Sequence, residues 1–133
     1  MRYLLDTHAV LWTLFEPENL STSARRAIEN TENEIVISVL SFWEISLKYS
    51  LGKLKLTGTE PEKLPVLAEK SGFNIAPLDA KILSTYHKLP RGEHKDPFDR
   101  MLVWFCIQED LFLISKDGKL KAEYKASGLR CFW

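Results

Sequence analysis

Residues 2–5 form a brief apolar run that stops at Asp6, and a second apolar stretch follows from His8 to Phe15. The first has the length of a short strand and the second that of a buried helix, so an acid is expected at the strand's carboxyl end. Ser21 can cap a second helix running to about Asn30, after which Glu34-Ile-Val-Ile-Ser38 reads as a β-branched strand. From Ser41 to Leu51, Phe42, Ile45 and Tyr49 recur at helical spacing with Trp43 and Leu47 beside them, until Gly52 offers a stop. Glu44 falls on the less apolar flank of that helix.

The second half continues the rhythm. Pro61 to Ser71 reads as a helix closed by Gly72, Phe73 to Ala76 as a strand, and Asp79 to Lys88 as a helix capped by Asp79. Pro90-Arg91-Gly92 marks a surface loop. Asp96-Pro97-Phe98-Asp99 then combines a capping acid, a proline at the first helical position and an acid in the first turn, opening a helix that reaches about Glu109. Leu111 to Ser115 reads as a buried strand with Asp117 just beyond it, and Leu129 to Trp133 as a terminal edge strand. Short strands alternating with helices predict an α/β fold, a short parallel sheet covered on both faces. With no repeat, linker or low-complexity tract, residues 1–133 are expected to form one domain.

Composition narrows the classes. Hydrophobic residues make up 45% and charged residues 27%, which excludes a disordered chain. Lys plus Arg and Asp plus Glu both number 18, so any hold on nucleic acid must come from a local patch rather than from overall charge. Cys106 and Cys131 fit neither a metal-ligand spacing nor a disulfide framework and are expected as reduced thiols. Asp6 arrives too early for a signal peptide and no apolar run spans a membrane, so the cytoplasm is the expected location.

Ligands of open parallel sheets gather beyond the carboxyl ends of the strands, where Asp6 and Asp117 are both expected. A helix leading back into strand 111–115 must itself begin on that rim, which brings Asp99 to the same place. Each acid also has a bland explanation. Asp96 and Asp117 can cap helices or turns, Asp99 can complement a helix dipole, and Glu44 can pair with Lys48 on a surface. Together, however, such carboxylates repel one another unless a cation neutralises them. Oxygen ligands without a Cys/His spacing favour Mg²⁺, or Mn²⁺ as a substitute, over zinc. The chemistry expected of such a site is phosphodiester hydrolysis by metal-activated water.

Four stretches in register, Leu4-Leu5-Asp6-Thr7-His8, Ser41-Phe42-Trp43-Glu44-Ile45-Ser46, His94-Lys95-Asp96-Pro97-Phe98-Asp99-Arg100-Met101-Leu102 and Leu113-Ile114-Ser115-Lys116-Asp117, resemble the PIN-domain family. Within it, the likeness is to the VapC-type toxin nucleases of type II toxin–antitoxin pairs. The resemblance implies a three-layer α/β/α fold, Mg²⁺-dependent cleavage of RNA, homodimerisation, and inhibition by a small antitoxin protein. It also implies metal-binding roles for Asp6, Glu44, Asp99 and Asp117. Trp104 and Phe105 depart from the small residues that relatives often carry after the third stretch.

Thr7 and Ser115 stand where they could hydrogen-bond cluster acids, and Lys48, Arg100 and Lys116 where they could meet substrate phosphates. Three rivals remain: metal-free cleavage by His8, His87 or His94, a phosphorylation-receiver domain, and a PIN-like interaction module without catalysis. A receiver would be expected to end its middle strand in an aspartate, whereas strand 34–38 ends in Ser38.

Overall fold

The computed structural model describes residues 1–133. The elements run β1 (Arg2–Leu5), α1 (Thr7–Phe15), α2 (Thr22–Glu29), β2 (Glu34–Ser38), α3 (Val39–Ser50), α4 (Leu64–Lys70), β3 (Asn74–Ala76), α5 (Ala80–Ser84), α6 (Pro97–Glu109), β4 (Phe112–Ile114), α7 (Gly118–Tyr124) and β5 (Arg130–Phe132). The strands form one sheet in the order β3-β2-β1-β4-β5, every pairing parallel. β1 is therefore central, with Leu4 facing Val36 on one side and Leu113 on the other.

Side chains alternate across the strands, so each strand feeds two cores. Tyr3, Leu5, Ile35, Ile37 and Ile114 pack with residues of α1 to α4, including Val10, Ala24, Ile45 and Leu64. Leu4, Val36 and Leu113 point the other way, against Ile82 of α5, the run Leu102–Cys106 of α6, and Leu120 and Tyr124 of α7. The result is three layers, as the chain's pattern predicts. Burial of Leu4, Leu5 and Leu113 is complete or nearly so, and each such side chain contributes about 1.5–3 kcal/mol.

The caps expected from the sequence form. Ser21 accepts from the Ala24 amide at 3.0 Å, Asp79 from Lys81 at 2.8 Å, and Asp96 from Phe98 and Asp99 at 2.9 and 3.1 Å. The departures have local causes. α3 starts at Val39 rather than Ser41 because the Ser38 hydroxyl accepts from the Leu40 amide and turns strand directly into helix. The helix expected over 79–88 stops at Ser84, where the Thr85 hydroxyl bonds the Lys81 and Ile82 carbonyls, and a 3₁₀ turn, Tyr86–Lys88, follows. Another 3₁₀ turn, Pro61–Lys63, precedes α4, whose Pro65 lacks an amide to extend the ladder. α7 was not expected, since Leu120 and Tyr124 alone give little periodicity.

Trp104 and Phe105 are core residues, and the Trp104 indole donates to the Ile82 carbonyl at 2.9 Å, tying α6 to α5. The outer face of α3, by contrast, is not core. Trp43 is 60% exposed and meets Phe98 edge-on at 5.3 Å, with Tyr49 and Leu51 also exposed. Cys106 is buried and Cys131 half-buried, both unpaired. No helix is long and apolar enough to cross a membrane.

Candidate metal centre

All five strands run in one direction, so the residues that leave their carboxyl ends share one edge. Asp6 follows the central strand and caps α1, its Oδ1 accepting from the Ala9 amide at 2.7 Å. Asp117 follows β4 and caps α7 through the Lys119 amide at 2.9 Å. Asp99 lies in the first turn of α6, which runs back to start β4. Asp6, Asp99 and Asp117 line a single cavity of about 310 Å³, together with His8, Trp12, Lys116 and Leu120.

The capping explanation and the clustering both hold at Asp6 and Asp117. Each uses one oxygen on a helix amide and still faces the cavity. Asp96 does not line the cavity, both of its amide contacts being those of a cap, although its charge acts on Asp99.

Glu44 takes a different position from the flank expected of it. It is 3% exposed, accepts from the Thr7 hydroxyl at 2.7 Å, and pairs with the Lys48 ammonium four residues on. Its carboxylate does not line the cavity, although its charge reaches Asp99. Thr7 also lies 3.0 Å from the Ser41 hydroxyl, so a buried polar thread joins α1 to α3 beneath the acids. The buried Ser115 hydroxyl accepts from the Asp117 amide at 3.1 Å.

The sequence offers His94 only as a metal-free catalyst, not as a neighbour of the acids, yet Nε2 lies 2.9 Å from Oδ2 of Asp99. His94, Asp99 and Asp117 each offer a ligand atom within 4.8 Å of the others. Its position next to the helix-opening Asp-Pro pair was the available signal. The loop is fixed from behind by α7, where the Glu123 carboxylate accepts from the His94 amide at 3.2 Å.

Two candidate phosphate contacts are engaged with other partners. Arg100 is buried, donating to the Tyr86 and Tyr124 hydroxyls at 2.8 and 2.7 Å and to the carbonyls of Leu89 and Pro90. Lys48 is committed to Glu44. Lys116 does line the cavity, with its ammonium 5.9 Å from the centre of the Trp12 ring.

Burial raises the Asp6 carboxyl above its usual value, and the Ser115 hydroxyl, the Ala9 amide and nearby His8 only partly offset this. Asp99 is raised too, first by burial and then by Asp96 and Glu44, against the lowering effect of His94. Carboxyls held this way gain from a cation placed between them, and the carboxylate oxygens of Asp6, Asp99 and Asp117 suit a hard divalent ion.

The PIN-domain family model matches residues 3–125. The chain belongs to the PIN-domain family. Among relatives of this PIN domain, Ribonuclease VapC22 of Mycobacterium tuberculosis is 28% identical over 119 residues, covering 90% of this chain and 89% of its own. The fold of this chain is similar to that of a chain of VapBC2 from Rickettsia felis bound to a promoter DNA fragment, with a TM-score of 0.66, 20% identity, and coverage of 99% of this chain and 98% of that one. VapBC-1 from nontypeable Haemophilus influenzae is similar, with a TM-score of 0.66, 18% identity and coverage of 99% and 97%.

Proposed function

We propose that this PIN domain is an Mg²⁺-dependent endoribonuclease and the toxin of a type II toxin–antitoxin pair, with Mn²⁺ able to replace Mg²⁺. The observation that carries the reading is the convergence of Asp6, Asp99 and Asp117 on one cavity at the carboxyl edge of the sheet. The relative named a ribonuclease and the solved VapBC assemblies support the class of enzyme and the antitoxin partner.

A divalent ion, when bound, supplies Lewis acidity that makes water a nucleophile and offsets charge on a phosphodiester. The rest falls to the chain. Asp6, Asp99 and Asp117 would hold the ion, with Glu44 contributing through its charge or through water. The Thr7 hydroxyl fixes the Glu44 carboxylate, Ser115 orients the turn that presents Asp117, and His94 steadies Asp99. Residues 1–133 act as one nuclease domain in the cytoplasm, working as a homodimer and silenced by a small cognate antitoxin. The exposed face of α3 around Trp43 offers apolar surface for such protein contacts.

The receiver alternative loses support at Ser38, whose hydroxyl caps α3 at the place a phosphorylated aspartate would need. The histidine alternative has one observation in its favour, because His8 lines the acidic cavity and His94 touches Asp99. Purified protein incubated with single-stranded RNA separates the two. Cleavage with Mg²⁺ or Mn²⁺ that stops in EDTA supports the proposal, and undiminished cleavage in excess EDTA overturns it. Expression without the antitoxin should slow growth and damage cellular RNA, and co-expression should relieve both.

A further inference from the structure

A second cavity of about 400 Å³ opens beside the acid cluster, lined among others by Tyr86, His87, Arg91, His94, Lys95 and Arg100. We infer that it is a phosphate-binding subsite for the single-stranded RNA that continues past the acids. The inference rests on the nuclease reading for the identity of the strand, but the site itself stands on separate observations.

The first is charge. All three permanent cations on this wall, Arg91, Lys95 and Arg100, lack an acidic partner within ion-pair distance, and no acid lines the cavity. The nearby Glu123 carboxylate is engaged by the His94 amide. In a chain of zero formal charge, three cations without an ion-pair partner thus share one wall, while Glu93 and Asp96 of the same loop stay outside the cavity lining.

The second is construction. Arg100 is 8% exposed, and its charge is satisfied by neutral groups only: two tyrosine hydroxyls and two carbonyls. A buried guanidinium held without a carboxylate keeps a positive potential on the cavity wall. Arg91, Lys95 and His87 stand exposed around the rim, free to meet a phosphate that enters.

The third is continuity. His94 belongs to both places, lining the basic cavity while its Nε2 touches Asp99 in the acidic one. A polyanion repelled by three aspartates needs a neighbouring anchor, and this wall lies directly adjacent. The strand would lie across His94, with one phosphate at the acids and another in the basic cavity.

The test is binding of a fluorescently labelled single-stranded RNA oligonucleotide across a range of KCl concentrations, in EDTA and again in Ca²⁺. The Arg91→Ala/Lys95→Ala double variant is compared with wild type and with Arg26→Ala/Lys70→Ala, an equal charge loss on exposed residues of α2 and α4. Arg100 is left in place, because removing it would orphan two tyrosine hydroxyls. Circular dichroism confirms that the variants melt like wild type.

The cavity variant should bind about tenfold or more weakly, with the salt slope reduced by roughly 1.4 for two lost phosphate contacts on a single strand. The distant variant should bind as wild type does. Equal effects of the two variants, unchanged binding by the cavity variant, or no RNA binding by wild type would overturn the inference. Competition by polyglutamate as strong as by RNA of equal charge would also overturn it, by assigning the surface to an acidic protein segment. Wild-type cleavage of the same RNA in Mg²⁺ is scored separately. Binding through Arg91 and Lys95 without cleavage leaves the subsite standing and removes the nuclease reading, and cleavage with unchanged variant binding does the reverse.

Discussion

Nε2 of His94 lies 2.9 Å from Oδ2 of Asp99, bridging the loop that precedes α6 and the first turn of that helix. The contact leaves the other Asp99 oxygen free while fixing the orientation of the carboxylate. Groups that orient a metal-binding carboxylate in this way influence affinity without having to bind the ion themselves.

His94→Ala should therefore raise the Mg²⁺ concentration needed for half-maximal RNA cleavage, or lower turnover, by about 10–100-fold. His94→Gln, which can still donate to Asp99, should recover part of the loss. Mg²⁺ titration of cleavage for both variants checks this, and a wild-type titration curve for His94→Ala would show the contact to be incidental.

The loop carrying His94 gives a related expectation. A Cβ on Gly92 would collide with the side chain of Glu123, whose carboxylate holds the His94 amide. Gly92→Ala must push that side chain aside, so it and Glu123→Ala should lower cleavage in the same manner. Because both act through one contact, the double variant should be no worse than the more severe single one. Additive losses in initial-rate measurements would contradict the coupling.

Burial raises the Asp6 and Asp99 carboxyls above their usual 3.8. The folded chain then holds those protons more tightly than the unfolded chain. The charged forms weaken the metal-free fold at neutral pH, and this penalty fades as pH falls through the raised values towards 3.8. In EDTA at pH 7, Asp99→Asn should melt at the wild-type temperature or above, with the gap closing in acid. Added Mg²⁺ should raise the wild-type melting temperature more than that of the variant. Asp96→Ala should instead cost about 1 kcal/mol as a lost helix cap and keep substantial activity. Reversed behaviour of the two variants would move the metal-binding role to Asp96.

The thiols should be quiet. Burial pushes Cys131 up to about 11 and Cys106 well above its usual range. At pH 8 the thiolate of Cys131 is then on the order of 0.1% populated. Native protein should react with a thiol-specific colorimetric reagent far more slowly than the same protein in denaturant, and equal rates would contradict the burial.

Much of this was legible in the sequence. The caps at Ser21, Asp79 and Asp96 are side chain to local amide contacts, which need only a few residues to specify. The alternation of strands and helices likewise fixes the layers, and a parallel sheet places Asp6, Asp99 and Asp117 on one edge. What stayed hidden depends on contacts between distant segments. Burial of Glu44 needs Thr7 from α1, 37 positions away, and enclosure of Arg100 needs tyrosines from a 3₁₀ turn and from α7. His94 carried no periodic signal because it lies in a loop. Exposure of Trp43 could not be read from α3 alone, since an apolar stripe looks the same whether or not another surface covers it.

The central claim is that water activated at the acid cluster attacks the phosphodiester, and the ends of the cleaved RNA report this most directly. Wild-type protein with Mg²⁺ should leave 5′-phosphate and 3′-hydroxyl ends, with Asp99→Asn producing neither above background. Fragments ending in 2′,3′-cyclic phosphate, formed at the same rate by wild type and Asp99→Asn, would contradict the account and assign cleavage to the histidines.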